Sequence, residues 1–117
     1  MASTDEELAR LDADGVLPNQ LIWAWYFFSH VGSSRAERRA FRDALVAAGF
    51  TNVGADTEGS DDHYWHHWSH TIRPADRDTL READRLAASI AAAHSVRYDE
   101  WQVARDVKTG ELRSVEA

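Results

Sequence analysis

The stretch "HYWHHWSH", from His63 to His70, decides how this chain folds. As a helix it would set His63, His66, His67 and His70 in one stripe at i, i+3, i+4, i+7, a pattern that suits a metal ion. As a strand it splits them. Tyr64, His66, Trp68, His70 and Ile72 then share one face, and His63, Trp65, His67, Ser69 and Thr71 share the other. The flanking residues favour the strand. "TEGSDD" before it is a turn built on Gly59 and acidic residues, and Pro74 stands after it. His63 to Arg73 is therefore expected to be the second arm of a hairpin whose first arm is Phe50 to Asp56.

Upstream, "QLIWAWYFFS" from Gln20 to Ser29 is aromatic and bounded by turn signals. Leu21, Trp23, Trp25 and Phe27 alternate with Ile22, Ala24, Tyr26 and Phe28, so both faces are apolar, as in a central strand. Ser34 to Ala48 has helical spacing. Ser34 and Glu37 make a capping box, Phe41, Ala44, Leu45 and Ala48 form one buried stripe, and Gly49 suits a left-handed C-terminal cap. A shorter helix is expected over Thr4 to Asp14. Ser3 with Glu6 and Thr4 with Glu7 are alternative capping boxes there, Leu8 and Leu11 give an apolar edge, and Gly15 is a stop.

Downstream, Pro74 is expected in the first turn of a helix running to about His94, with Leu80, Ala83, Ala87, Ile90 and Ala91 inward. Tyr98 to Asp106 reads as a last strand, and "KTGE" as a tight turn. After the leading helix the order is β-α-β-β-α-β. Two right-handed crossovers and one hairpin give an α+β, ferredoxin-like sandwich. It has a four-stranded antiparallel sheet, two helices on one face and an extra N-terminal helix. One domain is expected over residues 1–117, with 1–19 as helix and linker and 107–117 as a short tail.

The composition fits this. The chain has 117 residues, 44% hydrophobic and 28% charged, which is globular in character. It has no cysteine, hence no disulfide and no thiolate metal site. The longest apolar run, Leu21 to Phe28, falls far short of the ~20 residues that span a bilayer. "MASTDEE" has neither the basic nor the apolar part of a secretory signal, so a soluble cytoplasmic protein is the expectation. A net charge of −7 disfavours general affinity for nucleic acid and suits a basic protein partner.

The order of these signals resembles a known family. A helix ending in "DADGVLPNQ", an aromatic strand, an Ala/Arg-rich helix closing on "AAGF" and an alanine-rich helix leading into "YDEW" are similar to the regulator of ribonuclease E activity B family, the ribonuclease E inhibitor proteins. The likeness runs from about Leu8 to Val103. It rests most on "AAGF" and on Tyr98, Asp99 and Trp101. It implies the same sandwich fold and a bacterial, noncatalytic regulator that binds ribonuclease E through the enzyme's scaffold region and reduces RNA cleavage. It brings no cofactor and no catalytic motif. Members usually read Tyr-Asp-Gly-Trp where this chain has Glu100, and enteric-type members carry a long acidic tail where this sequence ends in "RSVEA".

Several side chains are candidates for function. Helices on one sheet face cannot cover Trp23, Trp25, Trp65 and Trp68 together. Either the leading helix and the tail cover the rest, or these tryptophans and His66 form a surface for a protein partner or a second copy of the chain. RNA stacking on such a sheet would want flanking basic residues, and the strands lack them. A metal or small-ligand site on the His63–His70 strand is the alternative function, with His66 and His70 as ligands. The expectation is against it, because alternation leaves at most two histidines to a face and zinc wants three or four converging ligands. Arg35, Arg38, Arg39 and Arg42 lie at i, i+3, i+4, i+7, either as a solvated helix face or as a contact for phosphate or an acidic segment. His94, Asp99 and Glu100 lack an oriented nucleophile, so no catalytic residue is assigned. Tyr98 and Trp101 are expected to pack, and Asp99 to hydrogen-bond a backbone turn.

Overall fold

A computed structural model describes residues 4–58 and 61–115. The elements run α1 (Thr4–Ala13), β1 (Leu21–Val31), α2 (Arg35–Ala47), β2 (Gly54–Glu58), β3 (Asp61–Pro74), α3 (Arg77–Ala93) and β4 (Arg97–Val103). The chain is thus α+β, with three helices and a four-stranded antiparallel sheet in the order β2-β3-β1-β4. Among the described residues no helix is long and apolar enough to cross a membrane.

The stretch from His63 to His70 is a strand. It pairs with β1 along its whole length, from Leu21 opposite Pro74 to Val31 opposite Tyr64. Period-two alternation then sorts β1. Ile22, Ala24, Tyr26 and Phe28 are buried beneath the helices, while Trp23, Trp25 and Phe27 are half-buried on the other side. Phe41 and Leu45 of α2 and Leu80, Ala83, Ala87 and Ala91 of α3 close over the same core. Aromatic edges knit it together: Phe28 meets Phe41 at 5.1 Å and Tyr26 meets Phe50 at 5.0 Å, both nearly perpendicular.

The helix ends show how local chemistry sets the boundaries. Ser34 accepts from the Glu37 amide at 3.1 Å and Glu37 accepts from the Ser34 amide at 2.8 Å, the expected capping box. At the other end Gly49 takes φ 94°, and the Phe50 amide reaches back to the Leu45 carbonyl. Pro74 does not open α3. It is the last residue of β3, and Asp76 caps the helix instead, accepting from the Thr79 amide at 2.9 Å. An Asp two residues past the proline supplies the acceptor that proline cannot.

The first hairpin arm begins at Gly54, not at Phe50. Asn52 adopts a left-handed φ of 49°, which breaks the extended run. Phe50 turns into the core, and Thr51 and Asn52 instead bond the His70 carbonyl through their side chains at 3.0 and 2.9 Å. The hydroxyls of Ser69 and Thr71, on the core side of β3, are satisfied by the Thr51 backbone at 2.9 and 3.0 Å. This pairing lets polar residues sit under the helices at little cost. The turn expected at 57–62 is shorter than that: Thr57 and Glu58 end β2, β3 starts at Asp61, and residues 59–60 lie outside the described residues, as does the Ser3 half of one capping box.

The leading helix does not cover the bare sheet face. It packs beside α3 at the β4 edge, with Leu8 and Leu11 in the common core. Thr4 is not a cap paired with Glu7. Its hydroxyl donates to Asp84 at 2.5 Å and accepts from the Trp101 indole at 3.0 Å, while the Tyr98 hydroxyl donates to the same Asp84 at 2.7 Å. Glu7 is buried and accepts from the Val103 amide, a donor on the free edge of β4. A β-bulge between Phe27 and Phe28 leaves Asp99 unmatched, which brings both Tyr98 and Trp101 to the helix side.

Trp101 is 3% exposed and joins three elements through one hydrogen bond and its packing on Tyr26. Trp101→Ala should cost about 3–5 kcal/mol of a total near 5–15 kcal/mol. Trp101→Phe keeps most of the contact area and loses the bond to Thr4, so it should cost far less. Thermal melts should show Trp101→Ala more than about 10 °C below wild type. A drop of a degree or two would mean that the indole is not part of the core.

Candidate functional site: the open aromatic face

The side of the sheet away from the helices carries rows of side chains set by register. One row runs Gly54, Trp68, Phe27, Glu100 across the four strands, and its neighbour runs Asp56, His66, Ser29, Arg97. On the other flank His70 stands opposite Trp25, which faces Gln102, and Trp23 stands opposite Ile72. Three of the expected tryptophans, Trp23, Trp25 and Trp68, therefore share this face, with His66 exposed beside them.

The rings form a continuous run. His70 lies 4.3 Å from Trp23 and 3.9 Å from Trp25, centroid to centroid, and Trp25 stacks on Phe27 at 5.7 Å with the planes 6° apart. Burial between the indoles holds the His70 imidazole below the usual histidine pKa, and nearby Arg113 acts in the same direction. His70 is thus a neutral, flat spacer at pH 7. Leu21, Val31 and Ile72 add exposed apolar surface at the ends of the strands. The tail reaches one end: Val107 and Arg113 border the same shallow hollow as Trp25 and Phe27. Trp68 lies flat across Gly54, so closely that a Cβ on residue 54 would collide with the indole.

The far end of the face is polar. Ser29 donates to Asp99, Tyr64 donates to Ser29 at 3.3 Å, and Arg97 donates to Asp99 at 2.6 Å. Asp99 thus serves side chains of two strands at its bulge rather than a backbone turn. Tyr98 and Trp101 pack inward as expected. The proposed metal pair does not converge. His66 and His70 are four residues apart on one strand, a span of about 13 Å. Among the described residues no group of three or more His, Asp or Glu side chains is placed to hold a metal ion.

The remaining candidates sit on the helix side. Trp65 lies beneath α2 with the Arg38 guanidinium 4.1 Å from its ring centroid, so it is separated from the other three tryptophans by the sheet. His67 is only 2% exposed, packs edge-on to Phe41 at 5.2 Å and lies 5.7 Å from His30. Desolvation, with His30 and Arg38 adding positive charge, lowers its pKa from 6.5 to about 4. Alternation in the sequence pointed to this sorting of faces. The stacking of His70 between two indoles was not legible, because it depends on the β1–β3 register.

Two outcomes follow from these placements. Gly54→Ala should lift Trp68 off β2 and cost about 1–3 kcal/mol, with iodide quenching showing a more accessible indole; unchanged quenching would mean that Trp68 does not rest on Gly54. His67 is neutral in the fold and takes up a proton on unfolding between pH 6.5 and 4. Stability should therefore be full above pH 6.5 and fall as the pH drops through that window, by up to about 1.4 kcal/mol per pH unit. Denaturant midpoints of His67→Gln should decline less steeply with acid than wild type. Parallel declines would show that His67 is not held neutral by the fold.

No protein-family model matches the chain, and no curated protein matches it.

Proposed function

We propose that the protein is a noncatalytic, cytoplasmic regulator that docks a protein partner on the open face of its sheet, and that this partner is the basic scaffold region of a ribonuclease E-type enzyme. The observation that carries the reading is the run Trp23, His70, Trp25, Phe27 on a face that no helix covers among the described residues. Half-buried tryptophans joined to exposed apolar ends are what a docking surface supplies. The element and strand orders support a ferredoxin-like β-α-β-β-α-β sandwich with an added N-terminal helix, as the family resemblance implies.

Charge favours a basic partner. The net charge is −7, and Asp56 and Glu100 stand in rows with His66, Trp68 and Phe27. At the open-face positions of the four strands the one Lys or Arg side chain is Arg97, which is paired with Asp99 at 2.6 Å, so the face suits arginine-rich peptide better than RNA. The four arginines of α2 lie on the opposite side of the sheet and do not oppose such a partner there. This reading needs neither a cofactor nor a catalytic group.

The test is RNA cleavage by the full-length host ribonuclease E-type enzyme and by its isolated catalytic domain. The protein should slow the first and leave the second unchanged, with no cleavage of its own. Trp25→Ser with Trp68→Ser should weaken the effect more than tenfold, and rising salt should weaken it further. Changing Arg35, Arg38, Arg39 and Arg42 to glutamine should leave it intact. Equal inhibition of the catalytic domain, or full activity of the double tryptophan variant, would contradict the proposal. So would a stable dimer closed over the same face.

A further inference from the structure

Beneath α2, on the side of the sheet away from the aromatic face, lies a pocket of about 240 Å³. Its walls are Arg35, Arg38, Arg39 and Arg42 of α2, the Val53–Ala55 backbone leading into β2, and Trp65 and His67 of β3. Four arginines in a chain of net charge −7 are gathered on one helix stripe. Like charges at i, i+3 and i+4 destabilise a helix, so the row carries a cost of its own. Among the described residues the row has two carboxylate neighbours: Glu37, held by the Ser34 amide beside Arg38, and Asp43, which stands 4.0 Å from Arg42 with both side chains well exposed. Such a contact contributes little.

Two features distinguish this row from a solvated helix face. Arg38 is half-buried and fixed: it donates to the Ser33 carbonyl at 2.7 Å, and its guanidinium lies over Trp65. His67, almost wholly buried at the border of the pocket, has no hydrogen-bond partner on either ring nitrogen among the described residues. A buried imidazole without a partner is rare, because desolvation of the group is left uncompensated. A neutral imidazole has one N–H to give, and guanidinium forks match the oxygens of phosphate. Val53, Ala55 and the Trp65 edge add an apolar wall. The volume is below that of a typical pocket for a drug-sized molecule, and it admits a phosphate with little more than one ring.

We propose that this pocket binds a small organic phosphate, a phosphomonoester dianion joined to one flat apolar group. Arg35, Arg38 and Arg39 take the phosphate oxygens, and the ring rests against Val53 and Trp65. The site is separate from the docking face, so one protein carries a protein-binding side and an anion-binding side. The inference does not depend on the identity of the docking partner.

Calorimetry and indole N–H shifts with phenyl phosphate and inorganic phosphate as probes test it. Phenyl phosphate should bind saturably with a stoichiometry of one, at least tenfold more tightly than inorganic phosphate, and should move the Trp65 resonance but not that of Trp25. Arg35→Gln with Arg39→Gln should weaken phenyl phosphate at least tenfold with little change in melting temperature, since both side chains are exposed. Failure of phenyl phosphate to saturate at millimolar concentration would overturn the proposal. So would binding that the arginine substitutions leave unchanged. Tighter binding of a single-stranded RNA oligomer at the same arginines would also overturn it, by making the row a nucleic-acid contact.

Discussion

The structure depends on the long antiparallel pairing of β1 with β3. Once Leu21 stands opposite Pro74 and Val31 opposite Tyr64, the face of every side chain between them is set. A slip of one residue would turn Tyr26 and Phe28 out of the core and bring Trp25 and Phe27 into it. Both faces of β1 are aromatic, so hydrophobicity alone cannot choose the register. The polar residues of β3 make the choice. Ser69 and Thr71 find partners only on the helix side, where the Thr51 backbone waits, and His70 stacks only on the side where Trp23 and Trp25 project.

Around this pair the edges are closed by different means. β2 is short and carries a glycine that lets Trp68 lie over it. β4 is covered by α1, where Glu7 takes an edge amide and Thr4 links Trp101 to Asp84. Because α1 is used there, it is not free to cover the aromatic face. The bare face is thus a consequence of how the β4 edge is protected, and the proposed docking surface follows from it.

The parts of this arrangement legible in the sequence are those governed by period. Alternation put His66 and His70 on one face and Trp65 and His67 on the other, and the capping box at Ser34 fixed the start of α2. What was not legible depends on single residues breaking a period. Strict alternation would set Tyr98 and Trp101 on opposite faces; the unmatched Asp99 brings them together, and no glycine marks that bulge. Asn52 leaves the β region and delays β2 by four residues relative to Phe50, and Asp76 moves the start of α3 past Pro74. The arginine stripe was visible as a stripe. That it borders Trp65 and the unpartnered His67 is a tertiary fact.

Five tryptophans report on this two-sided account without added labels. Trp23, Trp25 and Trp68 stand on the open face, Trp65 under Arg38, and Trp101 inside beside Thr4. The most direct measurement is a titration of the labelled protein with the basic scaffold segment of a ribonuclease E-type enzyme, following all five indole N–H resonances. The account predicts that Trp23, Trp25 and Trp68 shift together and saturate, while Trp65 and Trp101 stay in place. Movement of Trp65 with the other three unchanged would contradict it, because the segment would then be bound beneath α2 and not on the aromatic face.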